Sequence, residues 1–88
     1  MRKITWQNQF KRDFKIAVKR QRDLSKLDAI ITDLQKGKAL LVKNKNHKLK
    51  GNYIGCHECH VEPDWLLIYQ TVPDELILVR TGTHSDLF

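Results

Sequence analysis

The sequence predicts an α+β domain in which a helical hairpin precedes a meander of strands. Three observations carry that expectation. Apolar side chains recur at helical spacing between residues 10 and 34 and at strand spacing from residue 53 onward, which separates helices from strands along the chain instead of alternating them. Gly37, Gly51, Gly55 and Pro63 fall at the seams between these blocks. The 88 residues show no repeat and no linker, so residues 1–88 form a single domain with one modest core.

Residues 2–6 suit a short strand, with Ile4 and Trp6 on one face. Asn8 is placed to cap the helix that follows, whose buried stripe is Phe10, Phe14, Ala17 and Val18. The other face of that helix carries Lys11, Arg12, Lys15, Lys19, Arg20 and Arg22. A second helix begins near Asp23 or Ser25, with Ser25 and Asp28 as a loose capping box. It buries Leu24, Leu27, Ile30, Ile31 and Leu34, and Gly37 ends it. Residues 38–50 crowd five lysines around Asn44, Asn46 and His47 and read as an exposed basic loop, although most such charge runs are merely solvated. Gly51 and Gly55 flank a first short strand, and residues 56–61 form a second, broken from the next by Pro63. Residues 65–69 are apolar on both faces and so form a central strand. After a turn at 72–74, residues 76–79 form another. Trp65 and Tyr69 share a strand face and are expected in the core. Residues 81–87 read as a polar terminal loop in which Leu87 is the only large apolar group.

Sixteen Lys and Arg against ten Asp and Glu give a formal charge of +6, which favours polyanionic partners. With 41% hydrophobic and 30% charged residues the chain is too apolar for disorder, and no run approaches a membrane span. Thr5, Gln7, Asn8 and Gln9 interrupt any export signal, so a cytoplasmic location is expected, with Cys56 and Cys59 as free thiols.

All four histidines, His47, His57, His60 and His84, lie in the second half, near Glu62, Asp64 and Arg80. Cleavage of RNA by internal transesterification needs a base for the ribose 2′-hydroxyl, a cation beside the phosphorane and an acid for the departing 5′-oxygen. Imidazoles can perform both proton transfers near neutral pH, and an arginine fork suits the phosphate. Surface histidines are common enough that composition alone leaves this one reading among several.

Cys56, Cys59 and His60 also fit C-x-x-C-H, the attachment pattern of c-type haem. On a strand the two cysteines point to opposite faces, Met1 is the only methionine, and no second Cys-x-x-Cys exists. No metal and no cofactor are expected.

Three ordered motifs carry a resemblance. They are His47-x-Leu49-x-Gly51, the run from Glu58 through His60, Pro63, Asp64 and Trp65 to Tyr69, and the run from Arg80 through Thr83 and His84 to Phe88. Together they closely resemble the YafQ branch of the RelE superfamily of type II toxin–antitoxin mRNA interferases, over the whole length. The resemblance implies a β-α-α-β-β-β fold with a curved antiparallel sheet packed against the helical hairpin. It also implies metal-independent cleavage of mRNA in the ribosomal A site. His47, His60, Asp64 and His84 match the family's catalytic positions. Arg80 and Phe88 match positions that meet the substrate, and Lys48 and Lys50 are added to them from the basic loop. His84 is assigned as the acid, with Asp64 as base or as the orienter of His60, and His47 and Arg80 at the phosphate. The implied partners are the ribosome, mRNA and a cognate antitoxin with a ribbon-helix-helix part. Operator DNA would be reached only through the antitoxin complex, and no membrane is involved. The lysines of the first helix and of residues 36–50 are candidates for rRNA contacts.

Two departures bear on activity. Asn46 replaces the acidic residue usual before the first histidine, and His57 stands near the place of a family arginine. The alternative, from another class, is a catalytically weak basic module that only binds its antitoxin or rRNA.

Overall fold

The computed structural model describes all 88 residues. β1 (Lys3–Trp6) leads into α1 (Asn8–Lys19) and α2 (Leu24–Gln35). A two-residue strand, β2 (His47–Lys48), precedes the meander β3 (His57–Glu62), β4 (Trp65–Val72) and β5 (Glu75–Gly82), and a one-turn helix, α3 (His84–Leu87), follows. The sheet order is β1-β5-β4-β3-β2. The antiparallel description holds from β2 to β5, while β1 joins the far edge in parallel, with Lys3 opposite Glu75.

Several local expectations are corrected. Asn8 does not cap α1. Gln7 occupies that position without a side-chain bond, and Asn8 is the first helical residue. Val18 lies half-exposed at the margin of the stripe, and Asp13 is buried in its stead. Asp23 caps α2 by accepting the Ser25 amide hydrogen, so the Ser25–Asp28 box is not used. Gly37 does end α2, in the left-handed conformation (φ 75°) that lets its amide reach back to the Leu34 carbonyl. Between Gly51 and Gly55 the chain makes a 3₁₀ turn (Gly51–Tyr53), not a strand, while His47 and Lys48 in the supposed loop pair with β3. The terminal loop is likewise ordered: β5 runs on to Gly82 and α3 follows.

The helices cover one face of the sheet. Phe10, Leu27, Ile31 and Leu34 pack there on Cys59, Val61, Trp65, Leu67, Tyr69, Leu76 and Leu78. The opposite face holds a smaller cluster, Leu66, Ile68 and Leu87, flanked by Leu49, Tyr53, Cys56 and Val79. Strand alternation sorts the residues between them. Cys56 and Cys59 accordingly serve opposite clusters, as the strand geometry requires. Burial drives the Cys59 thiol up to about 12, so it is inert at neutral pH.

Two irregularities modify that alternation. The register shifts between His60 and Glu62 on β3, and between Ile68 and Tyr69 on β4 opposite β5. The second lets Leu78 and Thr81, three apart, both face the helices, where Thr81 accepts the Trp65 indole hydrogen at 2.9 Å. β1 covers the edge of β5 only as far as Leu78. Beyond it, Asp13 of α1 accepts the Thr81 amide at 3.1 Å and pairs with Arg80, which is why a carboxylate belongs among the apolar residues of α1. No helix is long and apolar enough to cross a membrane.

Candidate functional site

The face of the sheet away from the helices gathers the polar residues. His47 of β2 lies opposite Glu58 of β3, and His60 follows Glu58 at the next position on the same face. α3 brings His84 in from the other side, its ring 5.8 Å from that of His60. The turn between β3 and β4 supplies Asp64.

The hydrogen bonds define which nitrogens are free. A backbone carbonyl can only accept, so His60 donates from Nδ1 to Pro63 O (3.2 Å) and His47 donates from Nδ1 to Lys45 O (2.8 Å). In each case Nε2 is left facing the site. Asp64 Oδ1 accepts both the His84 amide hydrogen (3.2 Å) and His84 Nδ1–H (3.1 Å), so His84 also presents Nε2. These bonds hold the Asp64 carboxyl below the usual carboxylate range, the His84 ring contributing most. Asp64 is thus the partner of His84, not of His60 as its four-residue spacing suggested.

Glu58 is the residue that sequence reasoning missed. Its side chain is only 5% exposed, its Oε1 lies 3.4 Å from His47 Nε2 and 4.0 Å from His60 Nε2, and its Oε2 is buried without a partner. Its place inside a matched motif and its period-two spacing from His60 were the available signals. It supplies the carboxylate that Asn46 does not, since Asn46 instead accepts the Tyr69 hydroxyl at 2.6 Å.

His57 stands apart from this group. It shares the face of Cys59 and Val61, its ring stacks on Tyr69 (5.6 Å, 18°), and its Nδ1 is buried without a partner, so it does not replace a phosphate-binding arginine. Arg80 is also placed otherwise than the expectation had it. Its Nε and Nη2 bond Asp13 at 2.7 and 3.3 Å, and Nη1 points to the Tyr53 hydroxyl at 3.4 Å. The guanidinium is therefore already paired, and its pKa is raised by Asp13.

Lys48 and Lys50 are exposed at the β2 edge with no acidic partner. Phe88 is exposed, 6.4 Å from His84 and edge-on to Tyr53 at 5.7 Å, so Tyr53 joins it as an aromatic shelf. Glu58, His60 and His84 offer ligand atoms within 4.8 Å of one another, a set able to hold a metal ion although neither Cys56 nor Cys59 contributes to it. A cleft of about 490 Å³ lies between α2 and residues 41–45. Only His60 borders both it and the cluster, which sits on an open surface.

This arrangement offers two imidazoles with oriented, unengaged Nε2 atoms, a carboxylate fixing one of them and cations at the margin. It suits proton transfer on either side of a phosphate.

The family described as "Bacterial toxin of type II toxin-antitoxin system, YafQ" matches residues 2–88. The mRNA interferase toxin YafQ of Escherichia coli K12 is 39% identical, over 99% of this chain and 96% of that protein. The E. coli DinJ-YafQ complex contains a chain that superposes with a TM-score of 0.91 at 40% identity, covering 100% of this chain and 99% of that one. A metal-bound toxin from Helicobacter pylori superposes with a TM-score of 0.93 at 41% identity over all of both chains.

Proposed function

The chain belongs to the YafQ family of bacterial toxins of type II toxin–antitoxin systems, and from that premise we propose that it is a ribosome-dependent endoribonuclease that cuts mRNA in the A site. The observation that carries the proposal is the pairing of His60 and His84 across an open face, each with Nδ1 bonded and Nε2 presented.

His60 Nε2 takes the proton of the ribose 2′-hydroxyl. The freed oxygen attacks the adjacent phosphorus, the bond from phosphorus to the 5′-oxygen breaks, and His84 Nε2 gives that oxygen a proton. The products are a 2′,3′-cyclic phosphate and a 5′-hydroxyl. Asp64 holds the His84 ring and steadies its charged form, so the base is assigned to His60. Glu58 orients His47 and His60 and offsets the charge that His60 acquires. His47, Lys48 and Lys50 meet the phosphates. Arg80, neutralised by Asp13, contributes mainly by fixing Tyr53 and the end of β5. Phe88 and Tyr53 give a base a surface to stack on.

The openness of the site supports ribosome dependence. His84 and Asp64 have side chains 56% and 68% exposed, so another body must exclude water and hold the transcript. The partners are the ribosome, mRNA and a cognate antitoxin with a ribbon-helix-helix part, by analogy with the DinJ-YafQ pair. Operator DNA is reached only through that complex. The protein acts in the cytoplasm.

The test is cleavage of a defined transcript on programmed ribosomes. Cuts within the A-site codon, absent on free RNA and surviving chelation once ribosomal magnesium is restored, are expected. Zinc should inhibit, because Glu58, His60 and His84 would give it the lone pairs that proton transfer needs. Stalling without cleavage would favour the binding-module alternative, and equal digestion of free RNA would refute ribosome dependence.

A further inference from the structure

α3 has four residues, too few to be stable as an isolated helix, yet it carries His84. Besides the bonds of His84 to Asp64, three contacts hold it. Leu87 is buried against Leu66 and Ile68. Thr83 and Asp86 form a capping box, with Thr83 Oγ1 accepting the Asp86 amide hydrogen (3.2 Å) and Asp86 Oδ2 accepting that of Thr83 (2.9 Å). The third comes from far away in sequence. Arg20, the residue that closes α1, donates from Nη1 and Nη2 to the two oxygens of Asp86 at 2.6 and 3.2 Å.

The turn between α1 and α2 is shaped to make this contact. Gln21 adopts the left-handed conformation (φ 56°), unusual without glycine, and so ends α1 with Arg20 and Arg22 diverging. Arg20 reaches α3. Arg22 lies over the Trp65 ring at 5.5 Å and within 3.9 Å of Glu62, beside the turn that carries Asp64. Both halves of the His84–Asp64 pair are therefore braced from the connection between α1 and α2, His84 through α3 and Asp64 through its neighbours Glu62 and Trp65. Gly82 allows the close approach on α3: a Cβ there would lie 2.9 Å from the Asp86 side chain. The fork also drives the Asp86 carboxyl far below the ordinary range, so the contact is charged at any physiological pH.

We propose that Arg20 is a positioning residue: through Asp86 it holds α3 so that His84 faces His60 across the scissile phosphate. The inference rests on the cleavage reading above. The fold does not need the pair. Its side chains are 44% and 31% exposed, and ion pairs that open to solvent add little to global stability. Catalysis does need it, because a reacting group misplaced by an ångström loses up to about a hundredfold in rate. Without the fork, α3 keeps Leu87, its own cap and the His84 bonds to the exposed Asp64 carboxylate, and it can pivot about Leu87.

The test is a double-mutant cycle in single-turnover cleavage at saturating ribosomes. Arg20→Gln removes the fork, and Asp86→Asn removes the charge while keeping an oxygen for the Thr83 amide. Each should cut about tenfold more slowly, and the double variant no more slowly than either. The melting temperature should move by no more than a few degrees, and Arg20→Lys should recover part of the rate. Amide order from ¹⁵N relaxation should fall across residues 84–88 in Arg20→Gln but not in β4 or β5. A wild-type rate in Arg20→Gln, or losses that multiply in the double variant, would overturn the proposal. If the wild-type protein does not cut at all, the cleavage reading falls instead. The relaxation experiment then decides separately whether Arg20 holds α3: unchanged order at residues 84–88 refutes it.

Discussion

On β3, Cys59 and Val61 turn into the helix-covered core while Glu58 and His60 turn to the open face, so neighbours on a six-residue strand belong to different regimes. The covered face is almost wholly apolar, and its one charged intrusion, Asp13, is satisfied by Arg80 and the Thr81 amide. On the open face, Glu58 keeps a buried oxygen without a partner, and His60 and His84 present Nε2 atoms that make no hydrogen bond. The difference teaches that one sheet can separate stability from chemistry by alternation alone. The unpaired Glu58 oxygen on the open face is tolerated because the covered face, which leaves only His57 Nδ1 unpaired, holds the domain together.

The largest effects should divide along that line. His84→Gln is expected to lose 10²–10⁴ in single-turnover cleavage, with the melting temperature little changed. Leu67→Ala, on the covered face, should cost about 2–5 kcal/mol in denaturant unfolding and leave the rate per folded molecule near the wild-type value. An activity loss in Leu67→Ala at temperatures where it is fully folded would break the comparison.

Glu58→Gln comes next. Losing the charge between His47 and His60 should slow cleavage about tenfold, roughly 1.4 kcal/mol of barrier. Removing a poorly partnered buried charge should leave the protein as stable or more so. A variant both less stable and fully active would move Glu58 to the structural side.

A smaller effect is expected on acidification. Asp64 and Asp86 both sit below the ordinary carboxylate range, through His84 and Arg20 respectively. Groups of that kind stabilise the fold above their unfolded value, about 4, and lose the contribution as pH falls through the lower folded value. α3 should therefore stay docked at pH 5 and loosen only well below about pH 4, as amide shifts of residues 83–88 would record. Loosening already at pH 5 to 6 would mean that histidine protonation governs the helix instead.

The smallest effect sharpens the boundary. His57 stacks on Tyr69 on the covered side with a buried, unpaired Nδ1. His57→Phe should leave cleavage within about twofold and stability unchanged or slightly raised, since both stacking and burial survive. A strong loss of cleavage would show that His57 reaches the RNA after all.

The helix stripes, the central strands and the α+β class were legible because each depends on local spacing. His47, His60, Asp64 and His84 were legible because they lie in short ordered motifs. What escaped the sequence depends on which distant residue stands opposite. Nothing local ties Asp13 to Arg80 across 67 residues, so a buried carboxylate took the place expected of Val18, and Arg80 was read as free for phosphate. Asp64 was matched with His60 by spacing, whereas the register of β4 and β5 brings it to His84. Glu58 was visible as a letter in the motif, but its position between two histidines follows only from the pairing of β2 with β3.

The parallel pairing of β1 with β5 has a consequence for the cell that makes the protein. Synthesis runs from the N-terminus, so Ile4 and Trp6 emerge well before their partners Leu76 and Leu78. A nascent chain can wind its helical hairpin early, because those contacts are local, but the sheet must wait. His84 follows β5 and cannot meet His60 sooner. The paired histidines therefore cannot assemble while the body of the chain is still being translated, and the order of the strands withholds the site until β5 has left the ribosome.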